Sequence, residues 1–429
     1  MSIRRVSRRI GGVAVMFLFV GLTIGAPLAS ADSGRTDHRG DHGRDALYVA
    51  PVGSSHGSER GCRRPDFTSI SAAVAAAPSG GTVIVCEGTY NEDVLVNKPL
   101  TLTGRDATID ATGLENGIQV VASDVWVGGF TLENANGEGL LVGIDALTDI
   151  GLLPSTGPVL DHVTAQDNNA VNNDKGFNGT ETGNCKYPGD CGGGIHFNGT
   201  THSFIRGNRV KGNADGVLLT DDYAPSSHNV IAGNIVNDNL SECGIVLPSH
   251  ATNAVTFDPS TFAVTARNPM AGGIYDNLVV GNIADDNGTN TAPPQFGGGG
   301  SGSGIGLFGS GPGSAVYDNV VTGNEASGNG LAGIAMHAHT PGGEDINGNV
   351  LTFNRLGTNN IGGDGFDGPP TTDFQTTGIA IFSIPTAQMT IAHNFIHDDT
   401  YGIWLSKTIT ANGLGSNFFH NVGTHVFAG

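Results

Sequence analysis

The sequence is short of positive charge, of long apolar runs and of paired cysteines, and each shortage excludes something. Of 429 residues, 20 are Lys or Arg and 40 are Asp or Glu, a formal net charge of −20. Four of the arginines, Arg4, Arg5, Arg8 and Arg9, stand together at the start. Beyond residue 31 there are then 16 basic against 40 acidic groups. So acidic a surface repels nucleic acid and anionic membranes, and an anionic polysaccharide too unless a cation or a local basic cluster intervenes. After residue 31 no apolar run approaches the roughly 20 residues of a membrane-spanning helix. No Cys-x-x-Cys spacing exists, which argues against a zinc framework. Glycine is the reverse case, at 68 residues, more than twice the usual share. It follows no strict triplet, so a collagen helix is excluded.

The start of the chain reads as an address. After the four arginines, Ile10–Gly25 is apolar and Ala29-Ser30-Ala31 is a small-x-small cleavage site. This is the pattern of a cleaved signal peptide over residues 1–31. Ser7-Arg8-Arg9 leaves the twin-arginine and general export routes both open, and no Cys follows the cleavage site to carry a lipid anchor. The expected location is therefore extracellular or periplasmic. Residues 32–46 are polar and read as a disordered leader. In an exported chain disulfides are expected. Cys62 with Cys86 and Cys185 with Cys191 are candidate pairs, which would leave Cys243 as a buried thiol; the sequence alone does not fix the pairing.

What the chain has in abundance is one phrase: glycine, a branched aliphatic residue, any residue, an apolar residue. It recurs as Gly194-Ile195-His196-Phe197, Gly216-Val217-Leu218-Leu219, Gly244-Ile245-Val246-Leu247 and Gly304-Ile305-Gly306-Leu307. It continues as Gly333-Ile334-Ala335-Met336, Gly378-Ile379-Ala380-Ile381 and Gly402-Ile403-Trp404-Leu405, with a weaker copy at Gly117-Ile118-Gln119-Val120. A second phrase, Asn-x-Val/Ile/Leu-x-x-Asn, precedes it, as in Asn208–Asn213, Asn229–Asn234 and Asn277–Asn282. Alternation within both phrases is that of short strands. Asparagines in left-handed turns, stacked coil upon coil, would pair their amides. Phe67, Ile70, Val74 and Ala77 fall at helical spacing, so a helix over about 67–77 would cap the open end of the stack. Residues 47–429 read as one all-β solenoid of ten or so coils, roughly 50 Å long at about 4.8 Å per coil.

The opening of this region carries a resemblance. Phe67, Ile70, Ala73-Val74, Ala77, Gly81-Thr82-Val83-Ile84-Val85, Gly88-Thr89-Tyr90, Glu92, Val94, Val96, Lys98-Pro99-Leu100, Leu102 and Gly104 resemble the start of right-handed parallel β-helix proteins of the pectin-lyase-like fold. Pectinesterases and NosD-type periplasmic copper-processing proteins begin similarly. The resemblance implies a single-stranded right-handed parallel β-helix and, through many members, an extended polysaccharide as partner. It does not extend to a reaction. The Gln-containing and Asp-Phe-Ile-Phe-Gly segments of pectinesterases and the Asp-Pro-His motif of alginate epimerases are missing. Of the polygalacturonase motifs only Asp221-Asp222 has an echo, and five methionines are few for copper processing.

Insertions cluster on both sides of the Gly-Ile strands, including Asn168–Gly193, Asn287–Ser303 and Gly357–Thr377 before them and Pro248–Gly272 after one of them. Stacked in register, these loops would wall a groove floored by the outward side chains of the Gly-Ile sheet. Candidates for acid–base chemistry at that floor are Asp221, Asp222, His196 and His337. Phe308, Phe382 and Trp404 would form an aromatic strip for sugar rings, with Asn198, His250 and Lys407 as polar contacts. Two other readings stand beside this one: a non-catalytic surface, adhesion or scaffold solenoid, and metal handling. In the last, calcium would be held by loop Asp and Asn oxygens.

Overall fold

A central coil is made of one longer strand and three short ones, turned by tight corners. Strand Gly193–Asn198 leads to Thr200–Thr201, Phe204–Arg206 and Arg209–Lys211, and the next coil begins at Asp215–Thr220. The strands of the coils pair in parallel with their counterparts one coil on, as Ile195 with Val217 and Phe204 with Val230. The result, in the computed structural model, is a right-handed parallel β-helix. It describes residues 46–52, 61–144, 158–173, 193–240, 243–289, 302–338, 340–360 and 375–429, all within one compact unit, Arg44–Gly429. The signal segment, nearly all of the leader and the Cys185/Cys191 pair lie outside these residues. The Gly-Ile strands form an eleven-stranded sheet from Val94–Val96 to Thr424–Ala428. It includes a copy of the phrase with leucine in place of isoleucine, Gly139-Leu140-Leu141-Val142. The intervals of 60 and 45 residues between Gly-Ile glycines hold no extra coil. Ile245 pairs directly with Ile305, and Ile334 with Ile379.

Steric necessity explains the glycine of the phrase. At Gly194 a Cβ would collide with the core methyl of Val210 and crowd the Asn213 amide at 2.8 Å. Gly216 meets Val236 and Asn239 in the same way. The chain turns here against the buried strand of its own coil, and only a hydrogen fits.

Asparagines close the coils in three ladders. Along one, Asn208, Asn234, Asn282, Asn324, Asn354 and Asn394 each give both the backbone N–H and the side-chain N–H to the Oδ1 of the next, ending at Asn417. A second runs from Asn173 to Asp399 and a third from Asn229 to Asn349. The left-handed residue is not the asparagine itself, as its turn preference suggests, but the one before it: Gly207, Gly233, Phe353 and His393 in the first ladder. That residue turns the corner so that the next side chain points inward, where its amide satisfies the buried backbone.

The capping helix is shorter than expected, Ile70–Ala76. Ser69 caps it by accepting from the Ala72 N–H, and the Glu92 carboxylate takes the N–H groups of Ile70 and Ser71 at 2.8 and 2.9 Å. These bonds satisfy orphan donors of the first turn. Phe67 is left outside the helix, where it bridges to Val49. Cys62 and Cys86 form a disulfide, and Cys243 is a buried free thiol.

Candidate functional site

Strand alternation places His196 and Leu218 in one outward column of the Gly-Ile sheet, and Asn198 and Thr220 in the next. From there the side chains of three successive coils converge. Nδ1 of His196 lies 3.0 Å from Oε1 of Glu138, and Nε2 lies 2.8 Å from Oγ1 of Thr220. Thr220 donates its hydroxyl proton to Oδ2 of Asp222 at 2.9 Å. With that proton committed, the His196–Thr220 bond needs its proton from Nε2, while Nδ1 faces a carboxylate. His196 thus bridges Glu138 and, through Thr220, Asp222. Asn198 steadies the same carboxylate, donating from Nδ2 to Oδ2 of Asp222 at 2.6 Å and accepting the Asp222 backbone N–H at 3.2 Å.

Asp221 and Asp222 are neighbours with different jobs. Asp221 accepts the backbone N–H groups of His250, Ala251 and Gly273 and the Ser249 hydroxyl. It pins the strand end Thr220 to the start of the excursion after Ser249 and to its return at Gly273. Desolvation pushes its carboxyl above the ordinary range, against the His250 charge and those donors. Asp222 turns the other way and meets Nδ1 of His250 at 2.6 Å. Burial opposes its ionisation, but the charge of His250, its hydrogen bond, His196 and Thr220 outweigh that and hold the carboxyl below the usual range. His250 is the partly exposed member of the group, with 17% of its side chain accessible, against 2% for His196.

Residues 105–275 match a family model described as a right handed beta helix region. No curated protein matches the chain in sequence. Among solved structures the chain is similar to an alginate lyase from Paenibacillus sp. str. FPU-7. The identity is 12% over 83% of this chain and 95% of that one, with a TM-score of 0.49. It is also similar to the Dettilon tailspike protein, at 14% identity over 88% of this chain and 68% of that one, TM-score 0.45. A third is the A-module of a mannuronan C-5 epimerase from Azotobacter vinelandii, at 13% identity over 89% and 99%, TM-score 0.44.

The β-helix register separates the remaining candidates from this cluster. His337 lies in the column Pro248, Phe308, His337, Phe382. It sits about three coils, roughly 14 Å, from Thr220. Its ring stacks on Phe308 with centroids 3.8 Å apart and planes 20° from parallel. Two ring faces are thus spent on each other and are not open to a sugar ring. Trp404 is 5% exposed and stacks on Phe427 of the last strand, so it is packing, not groove lining. Lys407 is exposed at the last coil, four coils on from His250, and its backbone N–H is tied to Gly429. Among the described residues no three His, Cys, Asp or Glu groups are arranged to hold a metal ion.

Two members of the cluster escape a reading of the sequence. Glu138 immediately precedes the leucine copy of the glycine phrase, one coil before His196, at a corner three positions from the residue opposite His196, where strand alternation does not say which way its side chain turns. Thr220 is readable as an outward position, but nothing in the chain says that its hydroxyl links His196 to Asp222.

Proposed function

We propose that this β-helix is an exported protein that binds an extended polysaccharide along the outward face of its Gly-Ile sheet. Its chemistry would be centred on His250. One observation carries this reading: the 2.6 Å contact between Nδ1 of His250 and an Asp222 carboxylate held ionised inside the fold. A carboxylate so placed fixes the tautomer and orientation of the ring, and Nε2, buried in this structure, would exchange a proton once substrate binding opens the ring to it. Asp222 is then a positioning residue, and His196, Asn198 and Thr220 hold it charged. The product, whether cleaved, eliminated or epimerised, follows from which proton His250 handles.

Purified protein offered a panel of neutral and uronate-containing polysaccharides, read for binding, new reducing ends, unsaturated ends and C-5 epimerisation, tests the reading. The expected result is turnover that His250→Ala abolishes and Asp222→Asn reduces at least a hundredfold, both with glycan binding retained. No turnover and no binding on any glycan overturns it. A second reading, a non-catalytic surface or scaffold solenoid, is favoured by the burial of His196, Asn198, Thr220 and Asp221 among their own partners. It requires glycan or surface binding that His250→Ala leaves unchanged, with no product formed.

A further inference from the structure

Parallel sheets ordinarily have both faces covered, and among the described residues one outer face of this solenoid carries an apolar column that is partly exposed. In the register Phe204, Val230, Leu278, Val320, Val350, five consecutive coils turn an apolar side chain outward, each exposed or half-buried. The adjoining outward column adds Ala232 and Val280. Both rims of this strip change sign along the rod. On one, the left-handed corner before each strand carries His202 and His228, then Asp276 and Asp318. On the other, the first residue past the asparagine corner is Arg209, then Ile235, Ile283 and Glu325.

We propose that this strip is the interface of a homodimer in which the second copy packs antiparallel. The two-fold axis crosses the strip between strands Val230–Ala232 and Leu278–Val280. Such an axis lays each column upon itself in reverse order. Val230 then meets Leu278 and Phe204 meets Val320, while on the rims His228 meets Asp276, His202 meets Asp318 and Arg209 meets Glu325, every contact occurring twice. A parallel pairing about an axis along the rod lays one rim on the other at the same coil. That sets the histidines against Arg209 and Asp318 against Glu325, so charge selects the antiparallel copy. Asp318 already holds Arg267 at 2.6 Å and Glu325 lies 3.5 Å from Arg355, so the rims set orientation and the apolar strip supplies most of the affinity. From Phe204 to Val350 the strip runs roughly 20 Å, at about 4.8 Å per coil. A strip of that length on three-residue strands covers less than the roughly 800 Å² per partner of a standard stable interface, which fits a dimer that dissociates on dilution.

Sedimentation velocity on the purified protein over a concentration series tests this, with circular dichroism melts to confirm that each variant is folded. The expected result is a monomer–dimer equilibrium that Leu278→Lys abolishes without lowering Tm. Arg209→Glu and Glu325→Arg should each weaken the dimer at least tenfold, and the double variant R209E/E325R should recover it. A protein monomeric at its highest soluble concentration, or a dimer indifferent to Leu278→Lys, overturns the interface. A double variant no better than the singles overturns the antiparallel geometry.

Discussion

At the scale of single residues, the ladder that ends on Asp399 shows how a carboxyl can stand in for an amide. Asn359 gives its backbone N–H to Oδ1 of Asp399 at 3.2 Å, where the preceding ladder members give theirs to an asparagine. Burial, with Asp398 adding to it, pushes the Asp399 carboxyl up to about 8, from an ordinary 3.8. The acceptor half of the amide's role is kept by Oδ1, while Oδ2 of Asp399 is buried without a hydrogen-bond partner among the described residues, which favours the neutral, protonated carboxyl. A carboxyl whose folded value is raised holds its proton longer in the folded state than in the unfolded one. The stability it contributes is complete below about 3.8, falls as pH rises, and is gone once pH passes about 8. Asp399→Asn should remove that loss: thermal melts of the variant and parent should converge near pH 4 and separate increasingly up to pH 8. Curves that stay parallel across that range would show that Asp399 titrates normally. The same scale governs the site. Asn198→Ala should loosen Asp222 and bring its carboxyl back toward the ordinary range, seen in an NMR titration of the His250 ring as weaker coupling to its neighbour.

At the scale of the element, the asparagine corner is the repeating joint of the molecule. Asn282 accepts two N–H bonds from Asn234 and donates to the Ile231 carbonyl. Asn282→Ala leaves those buried groups without partners and should cost about 2–4 kcal/mol in denaturant unfolding, given about 1–3 kcal/mol per unsatisfied buried group. Asn417→Ala, at the last coil and 8% exposed, should cost less. The excursion after Ser249 is a second kind of element, an antiparallel hairpin of Val255–Phe257 with Val264–Arg267. Arg267 clasps it to the coils, with Nε 2.7 Å from Asp345, Nη1 2.6 Å from Asp318 and its guanidinium 3.8 Å above the Tyr317 ring. Arg267→Ala should leave the melting of the solenoid nearly unchanged while opening the hairpin to limited proteolysis between Phe257 and Val264. Equal protection in both proteins would show that the clasp is dispensable.

At the scale of the whole molecule, stability is a sum over neighbouring coils, and the ends are where it frays. The N-terminal end is closed twice over, by helix Ile70–Ala76 against the first coil and by the Cys62–Cys86 bond, which joins the segment before the helix to the strand after it. Reduction, or Cys62→Ser with Cys86→Ser, should lower Tm and let exchange of the Ala46–Val49 amides run ahead of those in the central coils. Uniform acceleration along the rod would show a single cooperative unit instead. Among the described residues no helix is long and apolar enough to cross a membrane.

The sequence alone determined the solenoid, because its physics is local and repeated. Each coil must place a glycine where no Cβ fits, an aliphatic pair inward and an asparagine at a corner, so the pattern recurs in plain view. It determined as well that His196 points outward, whereas the Cys62–Cys86 bond, one candidate pairing in the sequence, was settled by the structure. What decided the site was the stacking of coils. Glu138, His196, Thr220, Asp222 and His250 span more than a hundred residues, and only the register, one coil upon the next, makes them neighbours. Tertiary structure also gave Asp221 and Asp222 opposite directions, turned the faces of Phe308 and His337 on each other, and laid Trp404 under Phe427. Those outcomes depend on side-chain direction at strand ends and on the spacing of coils, which a periodicity does not encode.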